Sequence, residues 1–304
     1  MQSFSLTASD GQPVACYRWL VDAPKANIHI AHGMGEHAQR YDDVARVLND
    51  AGFNVFANDH RGHGETGRSN LGYMGGDGWN RVLADAYELN RMIAGDHPGV
   101  PLILLGHSMG SMMAQLYITR YGNSIDALVL SGSPGFKARL GGMISSTIAR
   151  IERWRLGPDK HSDLMQNLLF SSSNKAFNGP DASGFEWLSR DPEEVRKYVD
   201  DEACGFVLTT GSLLDLFEGS RMNQQVDCLA RIPKTLPIYI FSGSDDPVHG
   251  AQQDIHRMLQ AFYDQDLADI DVKWYPGGRH EMFNETNRGE VLADLIAWIE
   301  RHTN

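Results

Sequence analysis

With 304 residues, 42% hydrophobic and 22% charged, the chain is long enough to bury a large core and has the balance of a soluble globular protein, as one big domain or two small ones. Its net charge of −12 argues against nucleic acid or an anionic membrane surface as the main partner. Cys16, Cys204 and Cys228 are odd in number and lack paired metal spacing, residues 1–10 lack the layout of a signal peptide, and no apolar run nears the roughly 20 residues that span a bilayer; the expectation is a cytoplasmic protein without disulfides or a transmembrane segment.

Residues 4–6 and 14–20, separated by Asp10-Gly11, predict an N-terminal hairpin. A strand at 28–31 follows, then helical spacing over 41–49 (Val44, Val47, Leu48), a strand at 53–57 and a helix over 79–94 with Val82, Leu83, Ala86, Leu89 and Ile93 on its apolar face. The apolar run 100–105, an apolar helix after Ser108 (Met112, Met113, Leu116, Tyr117) and a strand at 127–130 continue the alternation. It stops at Ser133-Pro134-Gly135 and resumes with a strand at 237–241, a helix at 255–262, a strand at 270–274 and a helix at 291–299. Repeated strand–helix units predict an α/β fold, a mostly parallel sheet covered by helices on both faces. Between the two halves the pattern is helical with no clear buried strand. Leu140, Ile144, Ile148 and Ile151 share one face; Leu164, Met165, Leu168 and Leu169 suggest another helix, and Leu213, Leu214, Leu216 and Phe217 a third. So long a connection is no ordinary loop, and the return of the strand pattern favours insertion over an independent domain. The expected organisation is a core of 1–134 and 229–304 interrupted by a helical cap at 135–228.

The chemistry is densest at Gly106-His107-Ser108-Met109-Gly110, directly after the apolar run. A strand ending in G-x-S-x-G that turns sharply into a helix raises a serine hydroxyl at strained backbone angles, with glycines where the crossing leaves no room for side chains. The N-terminus of the following helix then points toward the reacting oxygen. A serine hydroxyl is a poor nucleophile until a base takes its proton. Of twelve histidines, His280 is best placed, in the glycine-rich loop after the last predicted strand, at the sheet end where open α/β proteins build their sites. An imidazole in that role needs a carboxylate to hold its tautomer, and Ser242-Gly243-Ser244-Asp245-Asp246-Pro247 offers two, either of which also suits a turn. The loop His32-Gly33-Met34-Gly35-Glu36-His37 follows the strand at 28–31, where a backbone N–H donor to an oxyanion is expected. The candidate donors are the amides of Met34 and Met109. Asp59-His60-Arg61-Gly62-His63-Gly64 carries metal-capable side chains, but its histidine spacing fits no helical zinc pattern, and a glycine-rich turn is the better reading.

Together these pieces resemble the α/β-hydrolase superfamily, and more narrowly its monoacylglycerol lipase and lysophospholipase-like group. The order Ser, Asp, His is that of the superfamily. The likeness rests on the segments 32–37, 59–64, 106–110, 243–246 and 280–281, and extends to Trp187-Leu188-Ser189-Arg190-Asp191-Pro192, so it covers nearly the whole chain. In that group the acid is the third residue after the glycine, which selects Asp246 over Asp245. The resemblance implies a serine ester hydrolase acting through an acyl-enzyme on a monoacylglycerol- or lysophospholipid-like ester, with Ser108, Asp246 and His280 as its triad, a small acyl ester as its partner, and no cofactor or metal. A proline-iminopeptidase-type aminopeptidase shares the fold. It would need carboxylates in the cap to meet a free amine, and Asp191, Glu193, Glu194, Asp200, Asp201 and Glu202 are candidates, although such a run is ordinarily a solvated helix face. A non-catalytic ligand-binding relative is disfavoured by the intact order of motifs. Relatives that use an aspartate nucleophile are excluded by the serine at 108.

Overall fold

The apolar runs are strands in the computed structural model, which describes residues 1–303 and, at 139–141, 170 and 171, the backbone alone. In chain order these are β1 (Gln2–Thr7), β2 (Pro13–Trp19), β3 (Ala26–Ala31), β4 (Phe53–Asn58), β5 (Leu102–His107), β6 (Ala127–Ser131), β7 (Ile238–Gly243) and β8 (Ile270–Tyr275). They form one sheet ordered β1-β2-β4-β3-β5-β6-β7-β8. The first two strands are the expected hairpin, β2 meets β4 antiparallel, and every pairing from β4 to β8 is parallel. From β3 to β7 the strands are buried along their whole length. That double-sided burial explains why they read as continuous apolar runs and not as alternation.

Long helices cover both faces. In chain order they are α1 (Asp42–Asp50), α2 (Gly78–Asp96), α3 (Met109–Tyr121), α4 (Arg139–Leu156), α5 (Pro192–Asp200), α6 (Thr210–Met222), α7 (Gln253–Tyr263) and α8 (Arg288–Thr303). One core joins α2, α3 and α7 through Leu83, Leu89, Leu116, Ile255 and Met258. The other joins α1 and α8 through Val44, Leu48, Leu295 and Trp298. Helix α1 buries Val44, Ala45 and Leu48, whereas Val47 is 40% exposed.

Between β6 and β7 the chain forms α4, α5, α6 and shorter helical turns, with no strand among the described residues. Helix α6 is held by the core through Leu213, Leu214 and Leu216. The expected apolar face of α4 is not its buried face. Ile144 and Ile151 are about half exposed, Ile148 is half-buried, and the side chain of Leu140 lies outside the described residues. The helix packs instead through Ser146, Ala149 and Glu152, because small residues permit close approach to α6 and Glu152 is neutralised by Arg155 and bonded by Ser162. Helix α5 escapes apolar-periodicity analysis because it is charge-rich. Its start is nonetheless written in the sequence, as Asp191 capping the Glu193 N–H at 3.0 Å ahead of Pro192 in the first turn.

Candidate active site

Strand β5 delivers Ser108 to the carboxyl edge of the sheet, and α3 begins at the next residue. Ser108 sits at φ 51°, ψ −115°, strained for a residue with a side chain, and its N–H is held by Ser131 O at 3.0 Å on the neighbouring strand. A Cβ on Gly106 would come within 2.5 Å of Gly110 O, and one on Gly110 would run into Ala31 O. Both glycines are therefore demanded by backbone crossing at the elbow.

The loop after β8 brings His280 to this serine. His280 Nε2 lies 2.9 Å from Ser108 Oγ, and His280 Nδ1 lies 2.9 Å from Asp246 Oδ2. Asp246, on the loop after β7, also accepts hydrogen bonds from Ser242 Oγ and from Val248 N, each at 2.9 Å. Asp246 is buried while its neighbour Asp245 is exposed, with its carboxylate bonded only locally, by Ser244 Oγ. Of the two candidate acids, the structure brings Asp246 to the imidazole and turns Asp245 to solvent.

Burial penalises both charges of the pair, and their mutual attraction outweighs it. Desolvation opposes the imidazolium of His280, but the Asp246 charge and hydrogen bond, with help from Glu281 and Glu36, raise it above the ordinary histidine value. Asp246 is correspondingly lowered by His280 despite its burial. Trp187, from the segment between β6 and β7, packs against the imidazole in a tilted arrangement at a 4.8 Å ring separation, and Trp187 O accepts from His280 N.

The loop after β3 lies against the serine. A Cβ at Gly33 would stand 3.2 Å from Ser108 Cβ, so no side chain fits between them. Glu36 shapes this loop from below, accepting from Gly33 N at 2.5 Å and from Tyr41 Oη at 3.0 Å. Met34 is thereby carried on a braced turn next to Gly33, and Met109 is the first residue of α3.

One element of the site escapes sequence reasoning. Arg40 makes a bidentate pair with Glu281 at 2.7 and 2.8 Å and a third bond to Glu36 at 2.7 Å. It links the Met34 loop to the residue after His280. The only sequence signal is the spacing of four between Glu36 and Arg40, which is common on solvated helices. The segment Asp59–Gly64 is a structural turn, as expected. Asp59 accepts from Ala38 N, Glu65 N and Tyr17 Oη, and Arg61 pairs with Asp85 and Asp10. His60 and His63 are buried, and burial pushes them down to about 3 and about 4.

A serine, an imidazole and a carboxylate in hydrogen-bonded series at the carboxyl ends of parallel strands, with an elbow between strand and helix, define the α/β-hydrolase class. Comparison with known proteins narrows this. The family model described as serine aminopeptidase, S33, matches residues 22–287. A monoacylglycerol lipase of Mycolicibacterium smegmatis is 33% identical over 93% of this chain and 91% of its own length. The Homo sapiens monoglyceride lipase is 38% identical over 98% and 90%. Among solved structures, a thermostable carboxyl esterase from Bacillus coagulans superposes with a TM-score of 0.90 at 25% identity, covering 100% of this chain and 99% of that one. The chain belongs to this serine aminopeptidase S33 family of α/β-hydrolases, is similar over nearly its whole length to monoglyceride lipases, and is a carboxylic ester hydrolase.

Proposed function

We propose that the protein hydrolyses a monoacylglycerol- or lysophospholipid-like ester through an acyl-enzyme formed on Ser108. The 2.9 Å contacts that link Ser108, His280 and Asp246 in series carry this reading. His280 takes the Ser108 proton as Oγ attacks the ester carbonyl, and the amides of Met34 and Met109 receive the developing oxyanion. His280 then protonates the leaving alcohol. Water repeats the attack with the same base and releases the acid. Asp246 holds the Nδ1–H tautomer and stabilises the transient imidazolium. No step calls for a metal or cofactor.

We read residues 135–228 as a cap over the site, supported by the helical run between β6 and β7 and by Trp187 packing against His280. The aminopeptidase alternative draws its support from the family description, but four of the six acids in the run are engaged elsewhere. Asp191 caps α5 and pairs with Arg288, Glu193 and Glu194 pair with Arg196 and Lys197, and Asp201 pairs with His37. A cytoplasmic location is consistent with three free thiols, and no described helix is long and apolar enough to cross a membrane.

The test is kcat/KM across glycerol monoesters from acetyl to palmitoyl, beside aminoacyl naphthylamides. Each methylene buried in the transition state contributes about 0.8 kcal/mol, roughly fourfold in kcat/KM, until the acyl channel is full. A flat series, or amides cleaved faster than any ester, would transfer the assignment to peptide chemistry.

A further inference from the structure

His37, Asp201 and Cys204 meet where the Met34 loop touches the segment after α5. His37 Nε2 is 2.9 Å from Asp201 Oδ2, and one donor atom from each of the three residues lies within 4.8 Å of the other two. All three residues are half-buried. The backbone around them is tied down. Gly205 N donates to Gly35 O at 2.9 Å, Cys204 N donates to Asp201 O at 2.9 Å, and Asp201 Oδ1 accepts from Ala203 N at 2.8 Å. That turn leaves the other oxygen of Asp201 toward His37, with the Cys204 sulfur beside it. The charges around the Cys204 sulfur are mixed: the Arg40 guanidinium opposes a cation there, and Asp201, Glu36 and Glu281 favour one.

One imidazole, one carboxylate and one thiolate supply three of the four donors of a tetrahedral zinc-type ion. With metal–nitrogen and metal–oxygen bonds of about 2.1 Å, adjacent ligands stand ~3.4 Å apart, so the His37–Asp201 contact has to open by only about 0.5 Å. We infer that His37, Asp201 and Cys204 form a site for a thiophilic divalent cation of the Zn2+ or Cd2+ class, which ties the segment after α5 to the loop that carries Met34. On binding, the Cys204 thiol gives its proton to solvent as the sulfur–metal bond forms, and metal–nitrogen and metal–oxygen bonds replace the His37–Asp201 contact. No electron is transferred. This inference does not depend on the identity of the ester.

The experiment titrates the full-length, reduced protein with Co2+ and follows the thiolate-to-metal charge-transfer absorption. One equivalent is expected to develop the band and Zn2+ or Cd2+ to displace it. Cys204→Ser is expected to abolish the band, and to weaken Zn2+ binding by at least about tenfold while leaving metal-free ester turnover unchanged. Asp201→Asn should weaken binding but keep the band, and Cys228→Ser should leave both as they are. A band that persists in Cys204→Ser, or no band in the unaltered protein, overturns the site.

Discussion

Between Ser108 and its partners, the decisive quantity is the free energy of a single proton on His280. As the proposed base it must be neutral to act, so kcat/KM should fall as pH drops through its pKa. Because Asp246, Glu281 and Glu36 raise that value despite burial, the acid limb should lie above the reference value of 6.5. Asp246→Asn removes the largest favourable charge and should both move the limb down and cripple turnover, because an amide can select the wrong tautomer. Asp245→Asn, at an exposed and only locally bonded carboxylate, should be mild. A pH–rate profile of the two variants, with folding checked by circular dichroism, separates these outcomes; equal losses would leave the acid unassigned. Ser108→Ala should keep its fold and lose on the order of 10⁴-fold or more in ester turnover, and a fluorophosphonate probe should label Ser108 alone. Retained activity in a folded Ser108→Ala variant would remove the serine from the mechanism.

Arg40 shows how elements, and not single side chains, hold the site together. It joins the Met34 loop ahead of α1 to the His280 loop ahead of α8 through two buried carboxylates. Removing one partner of a buried pair costs about 3–5 kcal/mol because the other is left uncompensated. Arg40→Met should therefore lower the urea midpoint sharply, and a wild-type midpoint would show that the pairs are energetically idle. The helices between β6 and β7 make a second contrast. Leu213 on α6 is fully buried, whereas Ile151 on α4 is 55% exposed. Leu213→Ala should cost about 2–5 kcal/mol, while Ile151→Ser should stay within about 0.5 kcal/mol. Similar losses at both positions would mean that the outer face of α4 is covered in solution.

Taken over the whole molecule, histidine burial sets the response to acid. His29, His32, His60, His63 and His107 are buried, and desolvation lowers each of them. A histidine kept neutral in the fold but free to charge when unfolded makes unfolding take up protons. Stability is then lost as pH falls below the unfolded value near 6.5, at about 1.4 kcal/mol per pH unit for each such group. His60 and His63 alone, held down to about 3 and about 4, imply a loss of about 3 kcal/mol between pH 6.5 and 5. His280 works in the opposite sense, since its raised pKa stabilises the fold at low pH and that contribution is lost as pH rises through the folded value. Five groups against one predict a net decline, measurable as a falling urea midpoint from pH 6.5 to 5. A midpoint constant over that range would mean that these imidazoles protonate within the fold.

Patterns local along the chain sufficed for the strands, because double-sided burial leaves continuous apolar runs, and for the elbow at Gly106–Gly110, because its steric demand is written in adjacent residues. They also sufficed for the order serine, aspartate, histidine, which follows from which loops leave the same edge of a parallel sheet. Three features depended on contacts between residues far apart in sequence. The choice of Asp246 over Asp245 by geometry requires knowing which carboxylate points inward, which the loop pattern leaves open. The role of Arg40 depends on Glu281, 241 residues away. The buried face of α4 was decided by the shape of α6, which admits the small stripe of Ser146 and Ala149 and leaves the larger apolar side chains outside. Periodicity records where apolar residues fall on a helix, but the partner's surface determines which of its faces can approach.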